Sequence, residues 1–84
     1  MIRRLRGTLI DKELTAVVVD CGGVGYGVAV SPQTSGRLPE PGIDADCAVD
    51  LYVHTHVYEG GIDLYGFESD DDRLVFLRLT AMSK

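Results

Sequence analysis

Between residues 47 and 57 apolar and polar side chains alternate without a break. Cys47, Val49, Leu51, Val53, Thr55 and Val57 share one parity; Ala48, Asp50, Tyr52, His54 and His56 share the other. Successive side chains of a strand point to opposite faces, so a period of two predicts a half-buried strand with the first set turned to a core. Shorter versions of this signature recur along the chain. Residues 2–11 are rich in Ile, Leu and Thr and predict a first strand, with Gly7 marking a bulge or a sharp bend. Residues 14–21 predict a second, with Val17, Val19 and Cys21 on one face. Residues 26–30 predict a third, with Tyr26, Val28 and Val30 together. Residues 62–67 return from the long strand through Tyr58-Glu59-Gly60-Gly61, where paired glycines supply hairpin geometry.

The connections fit this pattern. Gly22-Gly23-Val24-Gly25 is a turn that needs backbone angles glycine reaches without strain. Ser31-Pro32-Gln33-Thr34-Ser35 predicts a short helical turn, with Ser as cap and Pro at the first position. Pro39, Pro41 and Gly42 predict a loop. Residues 69–82 predict a helix. Ser69 is its N-cap, and Asp70, Asp71 and Asp72 fill the first turn, where the macrodipole favours negative charge. Its expected apolar face is Leu74, Leu77 and Ala81 with Val75, Leu79 and Met82. The sum is an all-β domain. We expect a five- to six-stranded antiparallel barrel of OB-fold type over residues 1–67 and one C-terminal helix over 68–84. Periodicity does not fix strand order, so a β-sandwich or an SH3-like barrel is the alternative.

With 84 residues and a hydrophobic fraction of 45%, the chain suits one small domain. That length leaves no room for a cofactor fold beside a substrate wall, which excludes most multi-step enzymes. No Ser or Cys sits in a recognisable nucleophile motif, and neither catalysis nor a cofactor is expected. No apolar run approaches the roughly 18 residues of a membrane span. Met1-Ile2-Arg3-Arg4-Leu5-Arg6-Gly7 is basic with no apolar region behind it, so no secretory signal is expected. Cys21 and Cys47 are too few for a disulfide scaffold and lie in strand alternation; we expect buried, reduced thiols in a cytoplasmic protein. The net charge of −5 is unevenly placed. Residues 1–37 hold five basic against three acidic side chains, and residues 38–84 hold three against ten. So acidic a domain should not bind nucleic acid by bulk electrostatics; a DNA role needs a local patch or a partner module.

Four segments then become specific: Met1-Ile2 with Leu5-Arg6-Gly7, Gly22-Gly23-Val24-Gly25-Tyr26, Leu38-Pro39-Glu40, and Leu64-Tyr65-Gly66-Phe67. In their order and spacing they resemble the N-terminal domain of the RuvA family, the Holliday-junction-binding subunits of the bacterial branch-migration complex. The resemblance spans essentially the whole chain. It implies an OB-fold barrel that helps assemble a homotetramer. That tetramer would hold a four-way DNA junction open and square-planar while a RuvB-type ATPase pumps the arms. The junction-binding subunit itself would hydrolyse nothing and hold no metal. The resemblance further implies a following helical domain with two helix-hairpin-helix motifs, and then a motor-binding domain. Residues 68–84 are therefore expected to open a truncated helical domain in a cut chain, with little or no DNA binding left in these 84 residues alone.

The candidate residues divide along the same lines. By the resemblance, the hairpin at 58–61 corresponds to an acidic pin of two neighbouring acids at the tetramer centre, where like charge repels the phosphates at the crossover. Glu59 matches the first position; Gly60 stands at the second, so the pin is halved. From the residues alone, Glu59 is a solvated acid in a tight turn. Arg3, Arg4 and Arg6 form the basic cluster. They are candidates for phosphate contacts or for an interface; alternation sets Arg3 opposite Arg4, so we expect pairing with acids of this chain or a neighbour, or a surface role, over a continuous phosphate patch. His54 and His56, with Asp50 on the same parity, have the donor types of a two-His-one-carboxylate metal site. Nothing else in the sequence supports one, so structural or surface histidines are expected. Gly22, Gly23 and Gly25 are expected to serve the strand connection, because no Lys-Ser/Thr and no helix follow to complete a phosphate loop. Among Tyr26, Tyr52, Tyr65 and Phe67, most are expected in the core or an interface; Tyr52 is the best placed for an exposed base contact. Three functions follow: the barrel of a junction-binding subunit, a free-standing OB module for single-stranded nucleic acid, or a purely structural oligomerisation domain.

Overall fold

The computed structural model describes residues 1–82; Ser83 and Lys84, at the end of the expected helical segment, lie outside the described residues, as do the side chains of Ala81 and Met82. The elements are β1 (Arg4–Lys12), β2 (Ala16–Cys21), β3 (Val24–Ala29), α1 (Pro32–Arg37), β4 (Ala48–Tyr58), β5 (Gly61–Phe67) and α2 (Asp70–Met82). The five strands close into a barrel in the order β1-β2-β3-β5-β4. This order, with a helix between the third and fourth strands, is that of an OB-type barrel.

The antiparallel expectation holds for four of the five seams. The fifth, β3 with β5, is parallel and is closed at Ala29↔Tyr65. Geometry requires this: a closed ring with an odd number of strands cannot alternate direction all the way round. Since β4 runs antiparallel to β1 and to β5, the mismatch falls between β3 and β5.

The core is the set of inward side chains that the alternation marks. Leu9, Val17, Val19, Val28, Leu51 and Val53 are almost wholly buried, and Leu5, Val30, Val49 and Leu64 complete the cluster. Each full burial of a Val or Leu contributes about 1.5–3 kcal/mol. Cys21, Tyr26 and Cys47 pack at its margin as partly buried side chains, and both cysteines are free thiols. The alternation fails at one end. Val57 has core parity but is 55% exposed, because the β4–β5 hairpin runs beyond the barrel wall and nothing among the described residues covers it there.

Gly7 is not the bulge. The register of β1 on β2 slips between Leu9 and Asp11, so the extra residue is Ile10. Gly7 instead marks a close approach: a Cβ there would collide with the carbonyl of Asp20 on β2. The Gly22-Gly23 turn has φ values of 63° and 94°, positive at both central residues as a type I′ hairpin requires, and Gly23 N–H donates to Asp20 Oδ1 at 3.0 Å. Gly25 keeps ordinary backbone angles and packs against Val18 across the seam.

Both helices start at the expected caps. Ser31 Oγ accepts from Thr34 N at 3.1 Å, and Ser69 Oγ accepts from Asp72 N at 3.1 Å. The face that α2 turns to the barrel differs from expectation. Leu74, Val75 and Leu79 are exposed and Leu77 is half-buried, while Arg73 is buried and Phe76 packs against the sheet. The helix crosses β4 and β5 where His54, Tyr65 and Phe67 project outward, and Phe76 fits among those rings.

Candidate nucleic-acid interface

Two polar regions lie on the barrel surface. The first is the outer face of the β1–β4 seam, where the register sets Arg4 opposite Tyr52 and Arg6 opposite Asp50. Arg4 reaches diagonally to Asp50. Its Nε donates to Oδ1 at 2.8 Å and its Nη2 to Oδ2 at 2.5 Å, the two-pronged fit of a guanidinium to a carboxylate. Arg6 Nε stands 3.9 Å from the same Oδ2. The Arg4 guanidinium carbon lies 5.2 Å from the centroid of the Tyr52 ring, within cation–π range. The hydrogen bond from Arg4, with the charges of Arg4 and Arg6, holds the Asp50 carboxyl below the ordinary carboxylate value, and Asp50 in turn raises Arg4. Arg3 is exposed, and its carbonyl accepts from Val53 N at 2.8 Å; its guanidinium has no ion pair among the described residues. The three arginines are thus separated: Arg4 and Arg6 share one face around Asp50, and Arg3 stands apart.

The second region is the β4–β5 hairpin. Glu59 and Gly60 form its turn, and Glu59 is exposed. Asp63, opposite His56 in the register, lies down the returning strand, and Tyr58 Oη donates to its Oδ1 at 3.4 Å. Val57, Tyr58 and Ile62 expose apolar surface around this acidic tip. The hairpin therefore projects a carboxylate beyond the barrel on an arm with apolar flanks.

The structure separates Asp50, His54 and His56. Asp50 is engaged by Arg4; His54 stacks over Tyr65 at 6.4 Å and meets Phe76 at 5.9 Å; His56 stacks on Tyr58 at 5.5 Å. Among the described residues no three His, Cys, Asp or Glu side chains group as a metal site. Burial pushes the His54 imidazole below its ordinary pKa, helped by the charges of His56 and Arg73. Tyr26 lies at the core margin; Tyr65 and Phe67 lie under α2. Sequence reasoning passed over Phe76, whose ring packs among those of β4 and β5, and Arg73, buried on the same helix, and no local signal marks either as the buried side of α2. No helix among the described residues is long and apolar enough to cross a membrane.

A closed five-stranded barrel with a basic–acidic outer seam, an acidic hairpin arm and a helix docked across β4–β5 defines a small OB-type module. Residues 1–66 match the family model described as the RuvA N terminal domain. Proteins named Holliday junction branch migration complex subunit RuvA are similar along the whole chain. The one from Acidobacterium capsulatum is 42% identical over 99% of this chain and 40% of its own length. That from Myxococcus xanthus is 43% identical over 100% and 40%, and that from Rubrobacter xylanophilus 44% over 100% and 41%. The chain belongs to the RuvA family, as its N-terminal domain. It spans about two-fifths of the length of the curated relatives it matches.

Proposed function

We propose that this barrel is the assembly and centring module of a Holliday-junction-binding subunit, and that it is itself non-catalytic. The agreement of residues 1–66 with the RuvA N-terminal family carries the reading. In it, four copies meet through their barrels and hairpin arms, whose exposed Val57, Tyr58 and Ile62 supply apolar contact. The arms then present Glu59 to the crossover, where its charge keeps the phosphates of exchanging strands apart. Grip on the duplex arms and contact with a RuvB-type ATPase belong to segments that the longer relatives possess beyond this length. A net charge of −5 suits this division of labour, since the module offers the duplex arms no bulk electrostatic attraction.

The test joins residues 1–82 to the remaining three-fifths of the Myxococcus xanthus relative. The chimera should retard four-way junctions in a gel and support motor-driven branch migration. A folded chimera that does neither overturns the reading. In an active chimera, Glu59→Gln should preserve junction affinity but change the rate of strand exchange; an unchanged rate removes the pin role from Glu59.

A further inference from the structure

The Arg4–Asp50–Arg6 arrangement is more than a surface ion pair. Two guanidiniums converge on one carboxylate, with an aromatic ring beneath the first. Two arginines on one acceptor group, beside a ring, form the kind of site that takes a backbone phosphate with a base stacked next to it. The site lies in the open: the side chains of Arg4, Arg6 and Asp50 are 51%, 75% and 39% exposed. A shallow hollow beside it is lined by Arg6, Gly7, Ala48, Val49 and Asp50. Exposed ion pairs are weak and screened by salt, so the internal carboxylate is displaceable. A displaced Asp50 nevertheless remains within reach of any incoming phosphate and repels it.

We propose that the outer β1–β4 seam is a subsite for the phosphate backbone of single-stranded nucleic acid, held closed by Asp50 as an internal stand-in for phosphate. Arg4 and Arg6 bind the phosphate, Tyr52 takes the adjoining base, and Asp50 keeps the site empty against strands not already delivered to it. The strand is single because the ring lies at the seam, where only an unpaired base presents its face. This deepens the reading of the barrel as a module beside exchanging strands and rests on it. Its test uses the 84-residue chain alone, so its failure is distinct from failure of the junction chimera.

The probe is a fluorescent oligothymidine, followed by anisotropy at low salt. Asp50→Asn is compared with Asp71→Asn, which makes the same change in net charge on the exposed first turn of α2. Asp50→Asn should bind at least about fivefold tighter than Asp71→Asn. Its salt dependence should steepen by about 0.7 in log–log slope for each phosphate engaged. The gain should vanish in Asp50→Asn/Arg4→Gln and persist in Asp50→Asn/Arg78→Gln, which has the same net charge. A duplex of matching sequence should gain less. Equal affinity of the two single variants, a gain that survives loss of Arg4, or equal binding of duplex overturns the proposal. A measurement on the unmodified chain keeps the question open to refutation if a variant does not fold. Titrated with the oligonucleotide at millimolar concentration, the Nε–H signals of Arg4 and Arg6 should move first, and shifts confined to other residues overturn the subsite.

Discussion

Phe76 of α2 meets Tyr65 of β5 with ring centroids 5.3 Å apart, and this contact fixes where the helix lies on the barrel. Phe67 and His54 close around the same ring at 5.2 and 5.9 Å. Beside them Arg73 is buried, with Nε donating to Asp70 Oδ1 at 2.7 Å one turn earlier. Phe76→Ala should therefore release α2 before it disturbs the barrel. For a half-buried Phe the loss is about 2 kcal/mol, below that of a fully buried ring. Helical ellipticity at 222 nm should melt ahead of the tyrosine near-ultraviolet signal. Melting of the two signals together would show that helix and barrel form one cooperative unit.

The same contact should depend on pH through His54. Its ring faces Tyr65 from β5, Phe76 and Arg73 from α2, and His56 along its own strand. Burial and the two positive neighbours oppose its protonation, so its folded pKa lies below the ordinary value of about 6.5. The unfolded chain then binds the proton more readily. Stability rises with pH between the folded and unfolded values, and falls as pH drops through that interval. The Tm of the unmodified chain should decline between pH 7.5 and 5.5, and His54→Phe should flatten that decline while keeping the aromatic packing. An equal decline in both would place the titration elsewhere.

These two side chains also show where sequence reading stops. The strands were legible because alternation is a local property, and the caps because Ser31 and Ser69 act within three residues of themselves. Alternation says which side chains share a face, but not whether anything covers that face; Val57 has core parity and lies in the open. The helix face was misread for a related reason. Five apolar residues between 74 and 79 compete for the buried side of α2, and the choice of Arg73 and Phe76 over Leu74 and Leu79 depends on rings presented by β4 and β5. The Arg4–Asp50 pair is as remote: it spans 46 positions and exists only through the β1–β4 register. Glu59 at the hairpin tip was placed by its turn, which is local.

Two glycines should differ in a way that packing alone predicts. A Cβ on Gly66 would lie 2.7 Å from Val28 Cγ1, with Val30 and Leu51 at 3.3 and 3.4 Å. Those are core side chains that yield only by small shifts, so Gly66→Ala should cost about 1–3 kcal/mol. A Cβ on Gly7 would strike the carbonyl of Asp20, which is main chain and sits in the β1–β2 seam. Gly7→Ala must push two paired strands apart and should cost more than Gly66→Ala. Urea midpoints of the two variants give the order directly; the reverse order would mean that the seam yields more easily than the core.

Lys12 ties β1 to the end of α1. Its Nζ donates to the carbonyls of Ser35 and Leu38 at 2.9 and 3.2 Å and pairs with Glu40 at 2.8 Å. A cation at these carbonyls satisfies acceptors that a helix leaves open at its C-terminus. The side chain of Lys12 is 11% exposed and that of Glu40 is 48%, so the two halves of the contact should differ in weight. Lys12→Met keeps the aliphatic stem but leaves the half-enclosed carbonyls without their donor, at about 1–3 kcal/mol. Glu40→Gln removes only an exposed partner and should cost less than about 1 kcal/mol. Ser35 Oγ donates to the Glu13 carbonyl at 2.7 Å and anchors α1 independently. In Lys12→Met, amide exchange should therefore quicken at Leu38, Glu40, Gly42 and Ile43 more than at Ser35. If Glu40→Gln proves as costly as Lys12→Met, the ion pair, and not the capped carbonyls, holds the end of α1 to the barrel.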